Sequence, residues 1–159
     1  MNMKSILILC MALVLSGCIT STQDKYYLLE AQRPASKAAI SLRRLDLPPY
    51  LEQNNFVRRC KGNRIEYIEG HSWACSLKHA LEEGLNDALT ADTPRSISLK
   101  VRRFEVADDN VFHVSLDCIE GKRTTEITFD FPCDSRNAAA IAAAYGKSLV
   151  EIQKRLSSL

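Results

Sequence analysis

Cysteine thiols carry the most reactive chemistry in this chain, and four of them fall in a repeated arrangement. Cys60 and Cys75 are fifteen residues apart, Cys118 and Cys133 are again fifteen apart, and the two pairs are offset by 58 residues. Such a set can hold a metal through thiolates or close two disulfides. Structural zinc is usually held by closely spaced pairs of the C-x2-C kind, which this chain lacks. Metal is therefore the weaker reading, and no metal ligand is assigned. Disulfides form in oxidising compartments, so the destination of the chain decides between the two chemistries.

That destination is written in the first eighteen residues. Lys4 is the single charge before Ile6–Leu15, a run of ten apolar residues. At about 1.5 Å per residue the run is too short to cross a hydrocarbon core of about 30 Å, but it suits the apolar region of a signal peptide. Leu15-Ser16-Gly17-Cys18 follows and closely resembles a bacterial lipobox. In that motif the Cys18 sulfur receives a diacylglycerol thioether, the chain is cut before Cys18, and the new amine is acylated, commonly with palmitate. Ile19 stands where an aspartate would retain a lipoprotein at the inner membrane, so the common sorting rule favours the outer membrane, on its periplasmic face. The expected organisation is a signal peptide over 1–17, a lipidated tether over 18–25 and one periplasmic domain over 26–159.

The remaining 142 residues must supply the elements that position the four free cysteines. Tyr26 to Leu29 reads as a short strand, Gln32 to Lys37 as a loop broken by Pro34, and Ala39 to Leu47 as a strand stopped by Pro48-Pro49. Phe56–Arg59 and Arg64–Ile68 flank Cys60-Lys61-Gly62-Asn63 as a hairpin. Leu77, Leu81, Leu85 and Leu89 recur every four residues and predict a helix, capped by Ser72 or Ser76 and ended by Asp92-Thr93-Pro94. Strands follow at Ile97–Val101, Phe112–Leu116 and Ile127–Phe131, with a bulge near Arg103-Phe104 and turns at Asp108–Asn110 and Glu120–Lys122. An Ala-rich helix runs from Asn137 to about Ser157. The expected fold class is α+β, a mixed and largely antiparallel sheet with two helices. Hairpin and helix recur in order, so a pseudo-repeat of that unit is a further expectation.

Placed on these elements, Cys60 and Cys118 sit near hairpin tips, and Cys75 and Cys133 precede helices. The strand between Cys118 and Cys133 separates them by well over 20 Å at about 3.3 Å per residue, whereas a disulfide needs Cα atoms within about 7 Å. Four cysteines allow three pairings, and this geometry leans toward Cys60 with Cys118 and Cys75 with Cys133. Each bridge would close a loop of 58 residues, worth about 4 kcal/mol on loop entropy.

Other chemistry is sparse. The sequence has no G-x-S-x-G, no H-E-x-x-H and no phosphate loop. His71, His79 and His113 read as solvated or partly packed, and a catalytic set such as His71 with Ser72 and Asp87 has little support. The chain is read as a non-enzyme without a cofactor. The net charge of +2 falls to +1 without Lys4, which argues against nucleic acid as a partner. Arg58-Arg59 and Arg102-Arg103 read as solvated strand faces. A docking surface has better candidates. Pro48, Pro49, Tyr50 and Leu51 form a rigid turn with an aromatic and an aliphatic side chain. Trp73, the only tryptophan, is expected in the loop before the first helix. Such residues make low-entropy interface anchors.

The lipobox, Tyr26-Tyr27-Leu28-Leu29, Leu47-Pro48-Pro49-Tyr50-Leu51, Arg64-Ile65-Glu66-Tyr67, Trp73-Ala74-Cys75-Ser76-Leu77 and the Ala-rich last helix together resemble the PqiC/YmbA-type family of ABC-transport auxiliary lipoproteins. Cys75 and the four-cysteine set depart from that pattern. The resemblance implies a non-enzymatic subunit of an MCE-type lipid-transport system that docks the periplasmic MCE-domain protein at the outer membrane and supports membrane integrity. Its partners would be that protein with its permease and ATPase, and the outer membrane through the acyl chains. Self-association into a homo-oligomer is compatible with this role. The alternative from another class is a stand-alone envelope lipoprotein that binds or inhibits an enzyme.

Overall fold

The computed structural model describes residues 23–30, 39–89 and 95–159. The expected signal peptide, Cys10, Cys18, the expected loop with Pro34 and the expected Asp92-Thr93-Pro94 stop lie outside these residues. Seven strands and two helices follow in the order β1 (Lys25–Tyr27), β2 (Ser41–Asp46), β3 (Asn55–Cys60), β4 (Arg64–Trp73), α1 (Leu77–Ala88), β5 (Ser96–Ala107), β6 (Val111–Glu120), β7 (Arg123–Pro132) and α2 (Ala138–Ser157). The α+β expectation holds, with one seven-stranded, mostly antiparallel sheet. Strand order is β1-β4-β3-β5-β6-β7, and β2 also pairs with β5.

β5 organises the sheet. Its first half pairs in parallel with β2 and its far end in parallel with β3, while β6 lies antiparallel along its other edge. β2 and β3 therefore follow one another along one side of β5, and the 3-10 turn Pro49–Leu51 lies between them. Strand, hairpin and helix do recur in order, but β5 pairs with β6 whereas β2 pairs with β5 and not β3. The repeat is one of element order, not of pairing. A register shift between Val101 and Arg103 puts the expected bulge at Arg102. The β6–β7 turn uses Gly121 at φ 59°, the left-handed region that suits glycine.

Period-two alternation on β5 to β7 and leucines every four residues on α1 create the two surfaces that meet in the core. Leu77, Leu81 and Leu85 of α1 and Ile141, Leu149 and Ile152 of α2 are buried with Ile97, Leu99, Val114 and Ile127 of the sheet. An aromatic chain runs through the middle. Trp73 packs on Phe56 at 4.5 Å and edge-on to Tyr145 at 4.9 Å. Tyr145 in turn meets Phe104 and Phe112 edge-on at 4.9 and 4.8 Å, and its hydroxyl donates to the Phe104 carbonyl at 3.0 Å. Gln153, itself buried, donates through Nε2 to the Gly84 carbonyl at 2.9 Å and ties α2 to α1. Ser76 caps α1 by accepting from the His79 N–H, and Asn137 caps α2 by accepting from Ala140.

Trp73 departs from its expected place. It is the last residue of β4, not part of a loop, and is 2% exposed. The chain stays in strand conformation there because β1 pairs in parallel with β4, Tyr27 opposite Trp73. That long-range pairing is invisible to local pattern.

Candidate functional site

The 3-10 turn after Pro48 has a dual character set by the residues beneath it. Leu51 is 1% exposed and belongs to the core, so it anchors the turn from inside and presents nothing to a partner. Trp73 is likewise excluded from the surface, and its indole Nε1 has no hydrogen-bond partner among the described residues. Pro49 is exposed, Pro48 and Tyr50 are half-buried. The docking set therefore reduces to Pro48, Pro49 and Tyr50.

Tyr50 is held by a buried carboxylate. Glu105 is fully buried, and each of its oxygens is used twice. Oε1 accepts from Arg59 Nε at 2.7 Å and Arg103 Nε at 3.1 Å, and Oε2 from the Tyr50 hydroxyl at 2.8 Å and the Phe104 N–H at 2.9 Å. Arg59 also reaches the Tyr50 oxygen at 3.3 Å. Burial pushes the Glu105 carboxyl up, but the Arg59 hydrogen bond, the Phe104 N–H and the Tyr50 hydroxyl outweigh it and hold the group below its ordinary range. Tyr50 is pushed the other way, first by burial and then by the neighbouring Glu105 charge, so its phenol stays protonated. Half of each basic doublet thus has a specific acidic partner here. Arg58 pairs with Glu66 at 2.8 Å, and Arg102 with Asp117. These arginines are ordered by carboxylates rather than merely solvated.

The cluster marks one face of the sheet. Phe104 points to Tyr145 and the helices, so strand alternation turns Glu105 to the opposite, helix-free face. Register aligns Lys100, Asp117 and Glu126 in one row across β5–β7, and Glu105, His113 and Asp130 in another. His113 meets Asp130 through Nδ1 at 2.9 Å. His79 is exposed on α1, and His71 accepts or donates at Nδ1 with the Tyr27 hydroxyl. His71 and Ser72 sit on β4 and Asp87 near the end of α1.

A second feature lies on the helix side. The chain after β1 crosses α2 so closely that a Cβ on Gly146 would lie 2.6 Å from the Glu30 carbonyl oxygen. Between segment 26–30 and the Ala142, Ala143 and Val150 face of α2 runs a groove of about 700 Å³. Tyr26 and Leu28 beside it are 67% and 70% exposed.

Residues 27–100 match the family model described as "ABC-type transport auxiliary lipoprotein component". Over that stretch the chain carries the pattern of this family. Two solved structures share the fold of this chain. An uncharacterized protein superposes with a TM-score of 0.67 at 12% identity, over 86% of this chain and 97% of the other. Protein XCC0632 from Xanthomonas campestris, of the DUF330 family, gives 0.62 at 17% identity, over 83% and 92%. No curated protein matches the chain.

The four cysteines of the described residues do not form the expected bridges. Cys60, Cys75, Cys118 and Cys133 are free thiols. Cys118 stands opposite Leu99 at the start of β5, whereas Cys60 follows Arg59, which stands opposite Ala107 at its end. The eight residue steps along β5 from Leu99 to Ala107 separate the two levels by about 26 Å. Cys75 follows β4 and Cys133 follows β7, four places apart in the strand order and about 19 Å along the sheet. Local spacing placed each cysteine correctly on its element, but strand order decides which ends meet. Burial pushes the Cys60, Cys118 and Cys133 thiols up, away from the reactive thiolate.

Proposed function

We propose that this auxiliary lipoprotein is held by acyl chains on Cys18 at the periplasmic face of the outer membrane, where it docks the MCE-domain protein of a lipid-transport system and does no chemistry of its own. The match of residues 27–100 to the ABC-transport auxiliary lipoprotein family supports a transporter as the partner. The observation that carries the docking role is the Tyr50–Glu105–Arg59–Arg103 cluster. It freezes an aromatic turn with Pro49 at its tip, next to the helix-free face of the sheet. Pre-ordered side chains lose little entropy on binding, and a face with exposed Lys100, Arg102 and Asp130 beside half-buried His113 supplies a polar rim.

The test is a pull-down from detergent-solubilised membranes with the acylated full chain, the bound proteins being identified by mass spectrometry. The native chain should recover an MCE-domain protein with its permease or ATPase. Pro49→Glu and Lys100→Glu change exposed side chains and should each reduce that recovery while the domain stays folded. Recovery of no transporter subunit overturns the role. Recovery undiminished in both variants overturns the docking face.

A further inference from the structure

We infer that the edge of the domain built from β1 and the adjoining face of α2 lies against the bilayer that holds the anchor, with Tyr26 and Leu28 at the level of the lipid headgroups. The inference rests on the reading that Cys18 is acylated, and adds to it an orientation for the whole domain.

The argument starts from chain length. Cys18 and Tyr26 are eight residues apart, which spans at most about 26–29 Å even when fully extended. A domain of this size is about 35–40 Å across. The tether is therefore shorter than the body it holds, and the β1 edge is the part that stays nearest the membrane. That edge is also where large apolar side chains are exposed. Tyr26 and Leu28 are the two most exposed large hydrophobic residues among those described, and they flank the 700 Å³ groove lined by Ala142, Ala143 and Val150. Such residues gain little from water and are suited to an interface, where a tyrosine ring sits with its hydroxyl wet.

Charge points to an apolar contact. Lys25 and Lys147 are exposed at this edge, but so are Asp24 and Glu30. Among the described residues these four charges balance, so headgroup attraction contributes little and the contact should be insensitive to salt. The proposed partner face, with Pro49 and Lys100, lies on the other side of the sheet from α2. A domain seated on its β1 edge keeps that face clear of the membrane.

The experiment uses the acylated full chain in vesicles of phosphatidylethanolamine and phosphatidylglycerol. Tyr26→Trp adds one tryptophan to a chain whose only other, Trp73, is buried. Tyr67→Trp, at another exposed position on β4, is the control. Phospholipids brominated on their acyl chains should remove most of the emission added at position 26 and little of that added at 67, in low and high salt alike. The mass of the purified protein and its flotation with vesicles report acylation separately. An acylated, floating protein whose added emission at 26 is quenched by aqueous iodide and not by brominated lipid overturns the orientation and leaves the anchor standing. A protein without acyl mass overturns the anchor and this inference with it.

Discussion

Glu105 is the residue on which the helix-free face depends. Its carboxylate replaces lost hydration with four donors, and two of them belong to arginines that would otherwise crowd like charges on neighbouring strands. Glu105→Gln keeps the shape but leaves Arg59 and Arg103 without a counter-charge. Removing one partner of a buried pair costs about 3–5 kcal/mol. Arg59 and Arg103 are partly solvated, so a loss nearer 2–3 kcal/mol is expected at pH 7. The folded-state pKa of Glu105 is depressed, so its contribution is present above the unfolded value of about 4.3 and fades as pH falls through the lower folded value. Urea titrations should therefore show native and Glu105→Gln proteins converging below about pH 4, and a gap that persists in acid would refute the ionised role. The thiols give a second residue-scale prediction. Native-state alkylation should label Cys75, which is partly exposed, well before Cys60, Cys118 and Cys133, and intact mass should show four reduced thiols. The Cys doublets were readable as positions in the sequence. Their lack of pairing was not, because it follows from which strands lie between them.

At the scale of elements, the helices and the β5–β7 strands were legible because periodic burial dictates them. Ser76 and Asn137 cap where the pattern starts, and the leucines of α1 and the alternating residues of β6 are buried as their spacing requires. The elements that escaped are those fixed by partners distant in sequence. β4 runs five residues beyond Ile68 because β1 lies beside its end, and this carries Trp73 into the core. Leu51 looked like an exposed loop residue and is instead a core residue, because the turn folds back over β5. Leu51→Ala should accordingly cost about 2–5 kcal/mol, measured as a shift in denaturation midpoint. The crossing of segment 26–30 over α2 gives a sharper test. Gly146→Ala places a methyl 2.6 Å from a backbone oxygen that cannot rotate away. Overpacking of this kind costs about 1–3 kcal/mol and the gain in helix propensity returns about 1. The expected result is a net loss of about 1 kcal/mol, or a lifted segment detected by faster proteolysis near Glu30. Unchanged stability with unchanged proteolysis would show that the close approach is absent in solution.

For the whole molecule, the balance of charge predicts how it is held. With a net charge of only +2, and with the proposed acyl chains contributing about 0.8 kcal/mol per buried CH2, salt should not release it. Washing membranes in about 1 M salt, where the Debye length is about 3 Å, should leave the protein in the pellet, and its release would point to electrostatic attachment instead. By itself the sequence determined the α+β class, the order of the elements, the two amphipathic surfaces that meet in the core and the resemblance to a transport-accessory family. All of these are written in local runs, in spacings of two, three or four residues, or in short motifs read along the chain. Only the tertiary structure decided that Cys60 and Cys118 stand at opposite ends of β5, that Trp73 and Leu51 are core, that Tyr50 is tied to Glu105, and that Tyr26 and Leu28 share an open edge with α2. Each of those depends on strand order and crossover, which bring together residues tens of positions apart, and no local periodicity encodes which strand becomes whose neighbour.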